Sequence, residues 1–251
     1  MGSSLRPEDY VWARLDVHKR RVEASLATIR EALKIGRLGV SFSGGKDSTV
    51  LLHLVRSVVA DVPAALFDSG DELPSTLELA RALEAEIFHP RLTMRDLARY
   101  SGWWGYPDPV DEGCPFDAKS ILIAEPSETF VVKRRLRVIA YGLRADESNG
   151  RALHVRGRGE LFRGADRTWY CMPLARWSTA DIWAYIASNN LLYNAAYDAM
   201  ADARIPRENQ RVSGLLGERG SGMGRHALLR RFAPRQWQEL TREFPELRLS
   251  Q

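Results

Sequence analysis

Residues 43–48, Ser-Gly-Gly-Lys-Asp-Ser, combine small side chains, hydroxyl groups and a cation in a pattern suited to anion binding. Apolar residues 38–42 precede them and predict a strand, and helical apolar spacing afterwards predicts a helix over 47–60. A Gly-Gly turn lets backbone N–H groups approach an anion closely, and the helix N-terminus and Lys46 add positive charge. The segment therefore predicts a polyphosphate cradle. A glycine-rich turn without a ligand is the structural alternative.

Two phosphate-binding motifs can be compared with this segment. The Walker A loop, G-x-x-x-x-G-K-[ST], requires a glycine where this chain has Val40, and a Ser or Thr where it has Asp47. All six residues instead resemble the PP-loop of the N-type ATP pyrophosphatases. The resemblance implies that the loop holds the pyrophosphate end of ATP while chemistry occurs at the α-phosphorus. The nucleotide-binding candidates here are Ser41, Ser43, Gly44, Gly45, Lys46, Asp47 and Ser48, and Lys46 is also a catalytic candidate.

Another candidate lies at the end of the next predicted strand, 64–68. Asp68 would border the phosphate loop, because ligands of α/β sheets bind at the carboxyl ends of the strands. The stretch from Asp68 to Thr76 resembles the D-[ST]-G…[FL]-P-E-T element of the phosphoadenylyl sulfate (PAPS) reductase family, with Ser75 where the family has Glu. An ordinary turn or cap is the alternative role for Asp68.

Residues 142–151, Gly-Leu-Arg-Ala-Asp-Glu-Ser-Asn-Gly-Arg, follow a strand predicted over 136–143. They resemble the family's G-x-R-x-x-E-S-x-x-R element, which places Gly142 beside the nucleotide. Arg144 and Arg151 become catalytic candidates that orient the acceptor or the α-phosphate, since guanidinium groups bind phosphate or sulfate oxygens. Glu147 is expected to orient an arginine, contact the acceptor or help bind a metal. A surface salt-bridge loop is the alternative.

Residues 172–186 resemble a further family segment, P-[LI]-x-x-W-[ST]-x-x-[DE]-[IV]-W-x-[YF]-I, and the resemblance covers roughly 36–200. Ser178 and Asp181 there predict a capped helix whose role is core packing. Trp103 and Trp104 lie in a loop predicted over 101–117, rich in Gly, Pro and aromatic residues. They are candidates for stacking on a base or closing over the acceptor, and packing into the core is an equal alternative.

The two cysteines, Cys114 and Cys171, are too few for a disulfide framework or a four-cysteine cluster. Reductases of the family carry a nucleophilic Cys in a C-terminal Glu-Cys-Gly-x-His segment, which this chain does not contain. Sulfonucleotide reduction is therefore disfavoured, with Cys114 as its one candidate nucleophile. A buried, inert Cys114 is the alternative.

Charge is unevenly placed along the 251 residues, whose formal net charge is +4. Residues 1–125 hold 15 Lys/Arg and 19 Asp/Glu, whereas residues 126–251 hold 21 and 13. The basic half predicts contact with nucleotide phosphates, a nucleic acid or a protein partner, and a solvated basic surface is the alternative. No apolar run is long enough to cross a membrane and no signal peptide is evident, so a cytoplasmic protein is expected.

The remaining pattern predicts an α/β fold with a three-layer, doubly wound, mostly parallel sheet in one domain. Its core is expected over 36–200, after an opening helix over 7–35 and before an irregular basic extension over 201–251. Further elements are predicted as helices over 74–86, 93–100, 117–123, 178–189 and 234–244, a strand over 87–89, an irregular stretch over 144–167 and a glycine-rich segment over 213–225.

Together these features predict an adenylyl transferase that uses ATP and Mg²⁺, with Asp47 as the candidate metal ligand. Catalysis is expected to come from positioning and charge stabilisation. A sulfonucleotide (PAPS/APS) reductase or sulfotransferase-like enzyme remains one alternative, and an ATP-binding regulatory protein acting with a nucleic-acid-binding partner is another. The sequence identifies neither the acceptor nor the oligomeric state, and a homodimer is compatible with it.

Overall fold

The computed structural model describes residues 4–101, 117–212 and 225–248. Six strands and eleven α-helices lie in this part of the chain. In chain order they are α1 (Pro7–Ala13), α2 (Asp16–Ile35), β1 (Leu38–Phe42), α3 (Lys46–Arg56), β2 (Ala64–Phe67), α4 (Pro74–Ala82), β3 (Glu86–Phe88), α5 (Met94–Ser101), α6 (Glu125–Arg134), β4 (Val138–Tyr141), α7 (Asn149–Arg158), β5 (Leu161–Arg163), β6 (Trp169–Cys171), α8 (Thr179–Ser188), α9 (Ala196–Asp202), α10 (Arg225–Phe232) and α11 (Pro234–Glu243).

The strands form one sheet in the order β3-β2-β1-β4-β6-β5, parallel except for the β5–β6 pair. Strand order reverses between β1 and β4, where Leu38 pairs with Val138 and Ser41 with Tyr141. In open α/β sheets, ligands bind outside the carboxyl ends of the strands at such a reversal. The loops after β1 and β4 are therefore the two segments positioned to form a site, and the predicted α/β class is confirmed.

Successive side chains along the strands point to opposite faces of the sheet, and each face packs against its own apolar cluster. Val40, Val138 and Ala140 face a large cluster that also receives apolar residues of α2, α3 and α8. Ile139 faces a second cluster that contains Phe130 of α6, whose ring contacts the rings of Phe67 and Phe88. Since both faces are covered, the short inner strands are almost fully apolar, as parallel sheets require.

The opening helix predicted over 7–35 is two helices. α1 ends at Ala13, and the extended backbone of Leu15 (φ −69°, ψ 140°) redirects the chain before α2 begins at Asp16. The break lets α1 pack along α8 while α2 packs near the sheet. Apolar spacing continues through the break, which is why the pattern predicts a single helix.

The stretch predicted as irregular over 144–167 contains a 3₁₀ turn, Ala145–Glu147, then α7 and β5. Ser148 caps α7 by accepting the Arg151 N–H at 3.2 Å, and Gly159 ends it with φ +78°. Few residues of α7 are apolar, so the sequence shows little of the apolar periodicity that would predict a helix. The prediction also omitted β6, and the helix predicted over 117–123 is a π-helical turn, Ser120–Ala124, that continues into α6.

The described part of the C-terminal segment is largely helical and joins the main core. Leu228, Leu229 and Leu240 are buried in the large cluster together with Phe244 and Leu247. The helix predicted over 234–244 is α11, and the described part of the extension expected to be irregular over 201–251 contains one further packed helix, α10. Within the described residues, no helix has both the length and the apolar character needed to cross a membrane.

Asp181 joins the N-terminal helices to α8. Its fully buried carboxylate accepts a hydrogen bond from Trp12 Nε1 at 3.0 Å, lies 3.1 Å from His18 Nδ1 and forms an ion pair with Arg21. The predicted cap with Ser178 is confirmed, since the Ser178 N–H donates to Asp181 Oδ2 at 2.8 Å. One carboxylate thus satisfies donors from three elements.

We expect Asp181→Ala to lower the free energy of unfolding by about 3 kcal/mol, because it leaves buried donors and a cation without their acceptor. Exposed Asp16, 3.5 Å from Lys19, provides the matched control. Asp16→Ala should cost less than about 0.5 kcal/mol in the same urea titration. Equal losses in the two variants would contradict the role of Asp181.

The same contacts predict a pH dependence. Burial alone raises the pKa of Asp181, but hydrogen bonds from His18, Ser178 and Trp12 outweigh it and hold the pKa well below the usual value. A lowered folded-state pKa stabilises the fold above the unfolded pKa of about 4, and this stabilisation is lost as the pH falls below it. The stability difference between wild type and Asp181→Ala should therefore shrink on acidification.

Candidate active site

The loop after β1 is shaped by glycine. Gly44 has φ +69°, and a Cβ there would lie 2.5 Å from Thr76 Cγ2. Ser48 Oγ accepts the Ser43 N–H at 3.2 Å and donates to Gly45 O at 3.0 Å, which closes the turn on the first residues of α3. The loop thus brings backbone N–H groups to an 11-residue helix N-terminus at the β1–β4 reversal.

Two buried side chains, those of Asn194 and Tyr197, hold this loop through hydrogen bonds. Asn194 Nδ2 donates to Gly44 O at 3.3 Å and to Thr76 Oγ1 at 2.9 Å. The Tyr197 hydroxyl accepts the Lys46 N–H at 3.0 Å. Sequence reasoning did not include either residue in the site. In the sequence, the one feature that marks these two residues is that they continue the family resemblance beyond residue 190. No nearby residue pattern indicates that they contact a loop 150 residues away.

Lys46 is buried, with 3% exposure, although it carries a full charge. Its Nζ donates to Asp47 Oδ2 at 3.0 Å and approaches Gln210 O at 3.5 Å. It also lies 5.6 Å from the centre of the Tyr197 ring. A buried ammonium needs such partners, because desolvation of an unpaired charge is costly.

Asp47 connects the two loops of the site. Its Oδ1 accepts Arg144 Nε at 2.5 Å while Oδ2 accepts Lys46. Burial by itself raises the pKa of Asp47, but the charges of Lys46 and Arg144 outweigh it and lower the pKa below the usual range. Asp47 is therefore an anion held between two cations, one from each side of the strand-order reversal.

The Mg²⁺ expected at Asp47 has few protein ligands here. Both carboxylate oxygens already contact cations, and the described residues contain no group of three His, Cys, Asp or Glu side chains that could hold a metal. Mg²⁺ usually retains water and uses one or two carboxylates together with substrate phosphates. The residues fit an ion that arrives with a polyphosphate.

Arg144, Glu147 and Arg151 form a chain of charges after β4. Arg144 is 4% exposed, and its Nη1 donates to both oxygens of Asp146 at 2.7 and 2.8 Å and lies 3.4 Å from Trp177 O. Glu147 Oε1 lies 3.7 Å from Arg144 Nη2, and its other oxygen forms an ion pair with Arg151. Glu147 thus contacts both arginines.

A cavity of about 300 Å³ adjoins these arginines. Arg144 and Arg151 form part of its wall, and the other described lining residues are Leu143, Gly150, Val155 and Met172. The mainly apolar lining can accept an uncharged part of a ligand whose anionic part faces the guanidinium groups.

Asp68 lies at a different cavity, of about 420 Å³, between α4 and α11. It accepts the Gly70 N–H at 2.8 Å, and its second oxygen is 3.5 Å from His89 Nδ1. The turn role expected as the alternative is thus present. Within the described residues, Asp68 takes no part in the ion pairs of Asp47 and Arg144.

Trp103, Trp104 and Cys114 lie outside the described residues, so their predicted roles stay predictions. Cys171 is described and fully buried in β6. Burial, together with the negative charge of Glu160, raises the pKa of its thiol to about 12. A thiol with that pKa is protonated at neutral pH and unsuited to nucleophilic attack.

Gly142 fixes the distance between the two loops. A Cβ at this position would lie 3.0–3.1 Å from backbone atoms of Asp47 and Ser48. We expect Gly142→Ala to displace the loop, costing about 1–3 kcal/mol of stability and weakening binding of the expected nucleotide. Gly157→Ala is the matched control, because a Cβ there meets nothing within 4 Å and Ala favours the helix. Thermal unfolding and ATP titration of both variants provide the measurement, and unchanged behaviour of Gly142→Ala would contradict the close approach.

Comparison with known proteins identifies relatives. Residues 37–203 match the phosphoadenosine phosphosulfate reductase domain. Uncharacterized protein YbdN of Escherichia coli is 26% identical over 239 residues, which covers 79% of this chain and 57% of YbdN. Phosphoadenosine 5'-phosphosulfate reductase of Xanthomonas euvesicatoria is 26% identical over 170 residues, which covers 63% of this chain and 65% of that reductase. The chain thus spans less than two thirds of the length of these relatives.

A solved structure shares the fold. The phosphate complex of PAPS reductase from Candida auris matches 78% of this chain and 91% of its own chain, with a TM-score of 0.55 and 18% sequence identity. The family match covers most of the chain, including the phosphate-type loop and the Arg144–Arg151 segment. This protein therefore belongs to the PAPS reductase family of the PP-loop superfamily.

Proposed function

We propose that this protein binds ATP at the 43–48 loop and transfers its adenylyl group to an acceptor with release of pyrophosphate. The PAPS reductase family is enzymatic and binds adenine nucleotides. The observation that carries the proposal is the pair of buried cations, Lys46 and Arg144, that meet at Asp47 beside a glycine-built loop. Lys46 lies at a helix N-terminus, where a buried cation complements the charge of a polyphosphate.

Nucleotide binding would change the partner of Lys46. Its Nζ turns from Asp47 to the β- and γ-phosphates, which the backbone N–H groups of the loop also contact. Asp47 Oδ2 would then be free to hold the Mg²⁺ that accompanies ATP, and such an ion would supply neutralisation of phosphate charge. Arg144 holds the other oxygen of Asp47 in place throughout, so we assign it a positioning role.

The transfer itself requires no covalent enzyme intermediate. An acceptor oxyanion attacks the α-phosphorus and forms a new P–O bond, while the bond to the α–β bridging oxygen breaks. Pyrophosphate leaves with that electron pair. Arg151, on the wall of the 300 Å³ cavity, is placed to orient the acceptor or the α-phosphate. Positioning and charge stabilisation supply the rate enhancement.

Lys46→Met tests the nucleotide site. Removing the buried ammonium should weaken ATP binding at least about 100-fold, because a charge-assisted contact to phosphate is lost and Asp47 keeps only Arg144 as a cationic partner. Exposed Lys34, paired with Glu31, is the matched control, and Lys34→Met should bind like wild type. Calorimetric titration with ATP and Mg²⁺ gives the affinities.

Turnover is measured with α-labelled ATP, Mg²⁺ and a panel of acceptors that includes sulfate and oligonucleotides. Labelled adenylylated product and pyrophosphate should appear together in wild type and be absent in Lys46→Met. If Lys46→Met binds ATP and turns over like wild type, the site is wrongly assigned. If ATP binds tightly but no acceptor yields pyrophosphate, binding stands and adenylyl transfer does not.

Sulfonucleotide reduction is the second candidate, because curated relatives such as the Xanthomonas euvesicatoria protein are named PAPS reductases. Under our proposal, incubation with PAPS and a dithiol reductant yields no sulfite above the protein-free control. Reductase activity would contradict this result, and Cys114→Ser and Cys171→Ser would then identify the nucleophile. Cys171→Ser should be inactive only through loss of folding, since that thiol is buried.

A further inference from the structure

The amino ends of the central strands carry exposed arginines, at the opposite edge of the sheet from the candidate active site. Five arginines at this edge are exposed, and we call them the arginine row: Arg37, Arg135, Arg137, Arg163 and Arg167. Within the described parts of the chain, no carboxylate lies within ion-pair distance of any of them.

Sheet register places the row. The Arg137 N–H donates to Arg37 O at 2.8 Å, immediately before the paired strands β1 and β4. The Trp169 N–H donates to Arg137 O at 3.0 Å, which brings the β5–β6 hairpin alongside. In that hairpin Arg163 Nε donates to Arg167 O at 3.4 Å. With strands about 4.8 Å apart, the row extends roughly 15 Å along the edge.

Two of the acidic groups near this edge have partners. Glu86, which begins β3, pairs with Lys133 and Arg134 at the end of α6. Asp166, in the hairpin turn, accepts the Tyr170 hydroxyl at 2.8 Å and the Thr168 N–H at 3.3 Å. Neutral donors leave the charge of Asp166 in place, and exposed Asp61 and Glu84 precede β2 and β3. The five arginines of the row outnumber these three carboxylates, so this edge presents an excess of positive charge to solvent.

Aromatic rings adjoin the row on one face of the sheet. Tyr170 of β6 stacks on Phe162 of β5, with ring centres 5.6 Å apart and planes 24° apart. Tyr141 of β4 lies 6.0 Å from Tyr170 on the other side. Tyr170 is partly exposed, and the guanidinium of Arg158 is 5.7 Å from the Phe162 ring centre. Cations and an accessible ring thus lie within one hairpin.

We propose that the arginine row and Tyr170 bind a single-stranded nucleic acid. Arginine forks pair with the phosphates, and a base packs against the exposed part of the Tyr170 ring. The ring favours single strands over duplexes, because duplex bases are stacked on each other and presented only at their edges. The row lies away from the 43–48 loop, so this binding is independent of the proposed nucleotide chemistry.

Fluorescence anisotropy with labelled DNA and RNA single strands of roughly 12 nucleotides tests the proposal. Five phosphate contacts predict a slope of about −3.5 in log affinity against log salt, or about a 100-fold loss between about 50 and 200 mM salt. The double variant Arg137→Gln/Arg167→Gln should bind at least about 10-fold more weakly and reduce the slope by about 1.4. Tyr170→Leu should weaken binding about 5-fold or more with the slope unchanged.

Arg14→Gln/Arg20→Gln is the control, because it removes the same charge at exposed positions on α1–α2. It should bind oligonucleotide like wild type, and all variants should retain wild-type ATP affinity. The proposal is overturned if the control weakens binding as much as the double variant, if the duplex of the same sequence binds more tightly, or if polyglutamate of matched charge binds equally well. Preference for RNA or DNA identifies the natural strand type.

Discussion

The carboxylate of Asp47, held between Lys46 and Arg144, is the interaction on which the candidate site depends. Lys46 begins the helix after β1, whereas Arg144 follows β4, so one side chain joins segments 97 residues apart in sequence. Gly142 permits the approach, because any side chain there would contact the backbone of Asp47. Without Asp47, the buried ammonium of Lys46 would lose its carboxylate partner and Arg144 would lose one of three, which is costly in a low dielectric.

This arrangement determines what kind of ligand can enter. An anion must replace Asp47 as the partner of Lys46, so a weakly charged ligand gains little from the exchange. A polyphosphate brings several charges and many acceptor oxygens, and the loop N–H groups add to the gain. Because Lys46 and Arg144 hold the pKa of Asp47 low, the carboxylate remains ionised in the neutral range. Selectivity for highly charged ligands therefore follows because the ligand must compete with the Asp47 carboxylate for Lys46.

Local patterns predicted the parts of this structure that local residues determine. The strand over 38–42, the Gly-Gly turn and the arginines after β4 are explicit in the sequence. The meeting of Lys46 and Arg144 at Asp47 was not predicted and follows from the strand-order reversal. Asn194 and Tyr197 escaped prediction because their contacts with the loop cross about 150 residues. The helix α7 escaped because its polar, arginine-rich sequence has little apolar periodicity, and its capping by Ser148 determines its start.

The sheet topology explains why basic residues that are close in sequence around β4 lie in different environments. Parallel strands place their carboxyl ends at one edge and their amino ends at the other, so residues just before and just after β4 lie far apart. Arg144 is buried and ion-paired with carboxylates at one edge, whereas Arg137 is exposed at the other. Similar arginines seven positions apart therefore differ in burial, partners and expected ligand. The arginines before and after β4 therefore do not form one surface, since the topology separates a buried arginine that orders a site from exposed arginines available to a polyanion.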